Sequence, residues 1–291
     1  LNVAKEGLEV DLNSKPPFSK GDMKRAGKAL MVGEGLDVEK YAEIVAWHQD
    51  LIVLIRETCE RVIARYQEEY GDSDHLHSIS RVFGSDRTKS KDTLTAKLGR
   101  IGMSLDSIQD FAGVRYDIEA GLTAQTYLAG RFESAFSDMG ASVNVRDYRQ
   151  DTQQGYRAIH LWLRMPAGRV EIQLRTSLQS RWASLNEFLG DKVGRSIRYE
   201  EPQESDFPEL FVIIERVRFF SEAIRSIEER REMLLRDLSV QADIADALVL
   251  RNLQRSDQET AEILELMAVT SSEIAYLEAK PASQMKEGDD S

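Results

Sequence analysis

Between Gly113 and Arg175 the hydrophobic rhythm of the chain changes several times, and this alternation limits the fold more than any other feature. Gly113–Glu119, Ser142–Tyr148, Arg157–Met165 and Arg169–Arg175 are rich in β-branched and aromatic residues, the composition of strands. A helical stretch from about Thr123 to Met139 separates the first two, and another helix is expected after Thr176. Strands interleaved with helices bury their apolar faces as a sheet under helical cover. The expectation is therefore an α/β (α+β) domain, a mixed sheet flanked by helices.

On both sides of this region the strand signal disappears. Asp37 is placed to cap a helix running to about Tyr70, with Ile44, Trp47, Leu51, Leu54 and Ile55 at helical spacing. A shorter helix follows Ser19, and the opening stretch through Pro16-Pro17, with little periodicity, reads as a tether. Beyond Phe207, Phe211, Ile214, Val217, Phe219, Ile224, Ile227, Leu234 and Leu238 fit one helix, and a second spans roughly Asp257 to Leu277. The terminal segment from Lys280 is expected to fray. This divides the chain into an N-terminal helical extension (1–80), a mixed domain (81–200) and a C-terminal helical region (201–291). The last could fold back over the middle, pair two copies into a homo-oligomer, or dock a partner protein.

A chain of 291 residues with 42% hydrophobic and 30% charged residues has a globular balance. Its single cysteine, Cys59, excludes an internal disulfide and a cysteine zinc site. No run of about 18 apolar residues and no basic-flanked leader occurs, so a cytoplasmic protein without a membrane span is expected. The net charge of −12 argues against a broad basic surface for nucleic acid. Its distribution is uneven: −5 over 1–80, +4 over 81–200 and −11 over 201–291. The middle is a basic island, suited to an anionic ligand.

Four clusters carry candidate chemistry. In Val170–Arg175, strand alternation sends Val170, Ile172 and Leu174 to the core and Glu171, Gln173 and Arg175 to the opposite face. Arg87, Lys89 and Lys91, with Lys97 and Arg100 beyond, gather cations at the start of an expected helix, where a polyphosphate would offset their repulsion from the dipole. Asp110 precedes a strand bearing Arg115, and paired with Glu171 it would form a two-carboxylate Mg²⁺ site. Tyr156 leaves a polar loop as a strand begins, a position from which a ring can pack in the core or stack on a base.

The series Arg87-Thr-Lys89, Lys97, Asp110-Phe-Ala-Gly-Val-Arg115, Asp147-Tyr148, Gly155-Tyr-Arg-Ala-Ile-His160, Glu171-Ile-Gln-Leu-Arg-Thr176 and Trp182-Ala-Ser-Leu185 resembles the synthetase domain of the RelA/SpoT family. The resemblance covers about residues 80–192 in the right order. It implies a nucleotidyltransferase-like synthetase fold and transfer of the β,γ-diphosphate of ATP to the ribose 3′-hydroxyl of GDP or GTP, yielding (p)ppGpp and AMP. By motif position, Asp110 and Glu171 would hold Mg²⁺ and Glu171 would take the hydroxyl proton. Arg87, Lys89, Lys97 and Arg115 would bind ATP. Tyr156 would stack on the acceptor base, with His160, Arg149, Gln173 and Arg175 around it. The hydrolase motif of the long family members, a His-Asp dipeptide, is absent from residues 1–80, so hydrolysis is not expected.

Two departures bear on the acceptor. The stretch after Asp147-Tyr148 lacks the family's Pro-Lys and carries Asp151, leaving Arg149 to compensate; Trp182-Ala-Ser-Leu185 continues as Asn186-Glu187 rather than Glu-His. The family also contains toxins that modify the tRNA 3′ end or adenosine nucleotides and are neutralised by antitoxins. In that alternative Lys24, Arg25 and Lys28, with Lys20, would grip RNA. A third alternative is an inactive nucleotide-binding module.

Overall fold

The computed structural model describes residues 10–71, 74–88, 91–150, 154–193, 208–240 and 246–279. Helix α1 (Lys20–Val32) starts at a capping box in which Ser19 and Asp22 exchange side-chain and backbone hydrogen bonds. Helix α2 (Val38–Tyr70) is capped by Asp37, as the sequence indicates, and turns Ile44, Trp47, Leu51, Ile55 and Cys59 inward at three- and four-residue spacing. The chain continues through β1 (Ile79–Thr88), α3 (Lys91–Ile101), a short turn at Leu105–Ser107, β2 (Ala112–Ala120) and α4 (Leu122–Asp138). Then come β3 (Ser142–Asp147), β4 (Ile159–Met165), β5 (Gly168–Thr176), α5 (Ser177–Val193), α6 (Pro208–Val240) and α7 (Asp246–Ala279). The strands form one sheet in the order β1-β2-β5-β4-β3. β2 and β5 are parallel, and the other neighbours are antiparallel.

One face of this sheet is apolar. Val114, Tyr116, Ile118, Leu161, Leu163, Val170, Ile172 and Leu174 are buried in one cluster with the inner faces of α2 and α4. The opening stretch is a correction to the tether expectation. Leu12 and Phe18 belong to the same core, Phe18 stacks on His48, and the Ala167 N–H donates to Leu12 O. Trp47 donates its indole N–H to Ala167 O, so α2 and the N-terminal segment both hold the β4–β5 turn.

Strand β1 was not expected from the sequence. It is an edge strand, with Ser80, Ser85 and Asp86 exposed, so its burial leaves little hydrophobic signature. Gly84 lies under the Tyr116 ring, which a Cβ would approach to 3.0 Å. A helix does start at this cluster; Arg87 lies in β1, which runs to Thr88, and Lys89 lies outside the described residues. Lys91 opens α3, Lys97 lies nearly two turns in, and Arg100 occupies the last turn, where the helix dipole favours a cation.

A second core is built by α5, α6 and α7 from Trp182, Leu185, Leu189, Ile214, Val217, Phe220, Ile224, Ile263 and Met267. Of the two adjacent phenylalanines, Phe219 is exposed and Phe220 is buried in this core. Helix α7 begins eleven residues before the expected Asp257. The N-terminus of α4 lacks a cap of its own; Glu232 of α6 instead accepts from the Thr123 backbone N–H and hydroxyl. Gly121 makes room for this, since a Cβ there would stand 2.9 Å from the Glu232 carboxylate. Among the described residues no helix is long and apolar enough to cross a membrane.

Candidate active site

β4 and β5 are joined by the two-residue turn Pro166-Ala167, and the pairing of Met165 with Gly168 fixes every neighbour above it. His160 stands opposite Gln173, and Trp162 opposite Glu171. On the other side of β5, β2 sets Gly113 beside Glu171, Arg115 beside Gln173 and Asp117 beside Arg175. β3 adds Arg146 beside His160, and β1 adds Arg87 beside Gly113. Alternation places these residues on the face opposite Val114, Leu161 and Ile172.

Five side chains close a hydrogen-bonded ring at the centre. Glu171 Oε1 lies 3.1 Å from His160 Nδ1. His160 Nε2 meets the Tyr156 hydroxyl at 2.7 Å, and that hydroxyl oxygen accepts from Arg175 Nη2 at 2.6 Å. Arg175 Nη2 also donates to Gln173 Oε1, and Gln173 Nε2 donates back to Glu171 Oε2. Trp162 adds an indole N–H to Glu171 Oε1 at 3.0 Å. His160 thus bridges Glu171 and Tyr156 through its two ring nitrogens.

Glu171 is buried, which by itself would raise its pKa. The hydrogen bond and charge of His160, with the bonds from Gln173 and Trp162, outweigh burial and hold the carboxyl down at about 2. Arg175 is 1% exposed and packs its guanidinium 4.9 Å from the Tyr156 ring centre. Its Nε and Nη1 are buried without an acceptor among the described residues.

The remaining sequence-derived positions fall into three groups. Asp110 accepts from Lys97 at 2.6 Å, so the proposed metal ligand and one proposed ATP ligand meet directly. Arg115 lies 3.6 Å from Glu187, one of the two residues that depart from the family pattern. Arg149 is bound within the protein: its five N–H groups reach Asp147, Leu122 O, Gln125 and Thr126. Arg87 is placed by its backbone alone, and Lys89 and Asp151 lie outside the described residues. On α1, Ala26, Gly27 and Leu30 are buried, while Lys20, Lys24, Arg25 and Lys28 are exposed, with Arg25 paired to Asp22.

Two residues of the polar face were not singled out by sequence. Trp162 is half-buried and donates to Glu171. Arg146 is exposed, with its guanidinium 5.1 Å from the Trp162 ring centre. The signal for both was the two-residue turn, which sets the cross-strand register from sequence.

The mixed sheet with this cover is the fold of small alarmone synthetases. The structure aligns with small alarmone synthetase 1 of Bacillus subtilis at a TM-score of 0.54 and 21% identity, covering 70% of this chain and 100% of that one. A GTP pyrophosphokinase family protein of Streptococcus pneumoniae aligns at 0.52 and 19%, covering 72% and 97%. In sequence, residues 86–190 match the profile of the region found in RelA / SpoT proteins. Uncharacterized protein Rv1366 of Mycobacterium tuberculosis is 44% identical over 199 residues, 67% of each chain. The GTP pyrophosphokinase YwaC of B. subtilis is 30% identical over 147 residues, 45% of this chain and 66% of that protein. The chain belongs to the RelA/SpoT family.

Proposed function

We propose that this protein is an ATP-dependent 3′-pyrophosphotransferase that converts GDP or GTP to (p)ppGpp. The observation that carries the reading is the closed ring around Glu171, a carboxylate kept ionised by three donors beside a buried arginine with unsatisfied N–H groups. Likeness to YwaC supports the choice of guanosine nucleotides.

In this reaction the acceptor 3′-oxygen attacks the β-phosphorus of ATP, the bond from that phosphorus to the α,β-bridging oxygen breaks, and AMP leaves. Glu171 orients the 3′-hydroxyl and takes its proton. His160 and Gln173 fix the carboxylate, so it does not reorganise as the proton moves. Tyr156 offers its ring to the acceptor base, and Arg175 holds the Tyr156 hydroxyl in place. Phosphoryl-type transfer depends mainly on such positioning and charge neutralisation. The donor set, Asp110 and Glu171, is hard oxygen and fits Mg²⁺, which when bound neutralises charge on the transferring phosphates.

The test is transfer from γ-³²P-ATP with Mg²⁺, offering GDP, GTP, AMP, ADP, ATP and deacylated tRNA separately. Label on GDP or GTP is expected. Label on an adenosine nucleotide or tRNA overturns the acceptor and directs attention to a neutralising partner; nucleotide binding without AMP release overturns the reaction. The internal use of all five Arg149 N–H groups is the observation that keeps the other acceptors in the assay.

A further inference from the structure

The residues around Tyr156 are held from outside the matched region. Ser221 of α6, 2% exposed, donates its hydroxyl to Gly155 O and accepts, through both its hydroxyl and its carbonyl, from Arg157 Nη1. Arg157 Nη2 reaches Glu222 at 3.0 Å, and Arg218 Nη2 reaches the Gln154 side chain at 2.9 Å. Helix α6 thus bonds to Gln154, Gly155 and Arg157, the residues immediately around the ring that the proposed reaction needs. The fit is close. Gly155 has φ +85°, and a Cβ there would stand 2.8 Å from Ser221 Cβ and 3.1 Å from the Trp182 ring. Gln154 also has a positive φ, 53°, a conformation that a non-glycine residue keeps only when its surroundings impose it. The Tyr156 ring itself packs against the α5–α7 core.

We propose that α6 is a clasp that sets the acceptor site, with Ser221 as its positioning residue. Through Gly155 and Arg157, Ser221 fixes where the Tyr156 ring stands, so the C-terminal helices determine how well the acceptor is held. The ATP side, carried by α3 and the start of β2, bonds to none of these α6 residues in the interactions described. The inference rests on the acceptor role assigned to Tyr156 above.

The experiment compares wild type with Ser221→Ala and with the double variant Arg218→Ala/Glu222→Ala, whose side chains lie nearer the surface and whose folding is less at risk. Two readouts are taken on the full chain. The first, independent of activity, is hydrogen–deuterium exchange. Peptides covering 154–158 are expected to exchange faster in both variants, while β5 peptides stay protected. The second is steady-state transfer: KM for the guanosine acceptor is expected to rise about fivefold to tenfold for Ser221→Ala, the loss of one or two hydrogen bonds. KM for ATP should change less than about twofold, a split that general destabilisation would not give. Unchanged exchange at 154–158 overturns the clasp. Faster exchange with an unchanged acceptor KM, or equal losses for ATP and acceptor, overturns the positioning role. If wild type transfers to no acceptor, the proposed reaction falls and the acceptor-positioning role with it; the exchange readout then decides whether the physical clasp exists.

Discussion

Replacing Glu171 by glutamine tests the central ring through its response to pH. In the native protein the carboxyl sits at about 2, below its ordinary 4.5, because donors from His160, Gln173 and Trp162 outweigh the cost of burial. A shift of that size corresponds to about 3 kcal/mol of stability. Since the folded value is depressed, this stabilisation is complete above the unfolded value and is lost as pH falls towards the folded one. Glutamine keeps the shape and removes the charge. It also presents an N–H₂ group to Gln173 Nε2, and turning Gln173 over only moves the conflict to Arg175. The variant should therefore be less stable than wild type by about 2–4 kcal/mol near neutrality. Between about pH 6 and pH 3, roughly 2 kcal/mol of that difference should vanish as the unfolded wild-type chain takes up a proton that the folded one does not. Urea unfolding of both proteins at half-unit pH steps measures it. A stability difference that stays flat across this range would refute the account of Glu171, whatever the offset. Transfer activity should be lost at every pH.

Tyr156→Phe keeps the ring but removes the hydroxyl joining His160 to Arg175; kcat should fall about tenfold while the acceptor KM changes little, and a reversed pattern would contradict the assignment. Arg149→Lys cannot reproduce the planar fork to Asp147, Gln125 and Thr126, so thermal unfolding should show a loss of about 1.5–3 kcal/mol. An acceptor KM raised more than about tenfold in that variant would instead restore Arg149 to the phosphates. Gly121→Ala pushes a methyl into Glu232 and uncaps α4, which should cost about 1–2 kcal/mol in denaturant melts without altering either KM.

The polar face was legible where strand alternation alone decided it. Glu171, Gln173 and Arg175 were set apart from Val170, Ile172 and Leu174 by period two, and the structure keeps that division. What alternation could not show is that the second face is also buried: Glu171 is 6% exposed and Gln173 5%. Trp162 was not singled out because a tryptophan in a β-strand carries no label for its face until the strand's register is fixed. β1 escaped notice because an edge strand need not be hydrophobic. The contribution of α6 was invisible for another reason. Ser221 and Glu232 are ordinary polar residues on a helix, and only tertiary contact with Gly155 and Thr123 gives them a task.

The parallel pairing of β2 with β5 has a consequence for how the protein comes into being. His160, Trp162, Glu171 and Gln173 all lie on one antiparallel hairpin with a two-residue turn, so their mutual contacts are local and form early. Gly113 and Arg115 join them only after the loop between Gly113 and Glu171 has closed and its entropic cost has been met. In a chain growing from its N-terminus, β2 therefore waits unpaired on that side until β5 has been made. Helix α6 can seat on Gly155 only later still. A nascent or partly folded chain can hold the hairpin's donors around Glu171 before β2 and α6 have seated beside them.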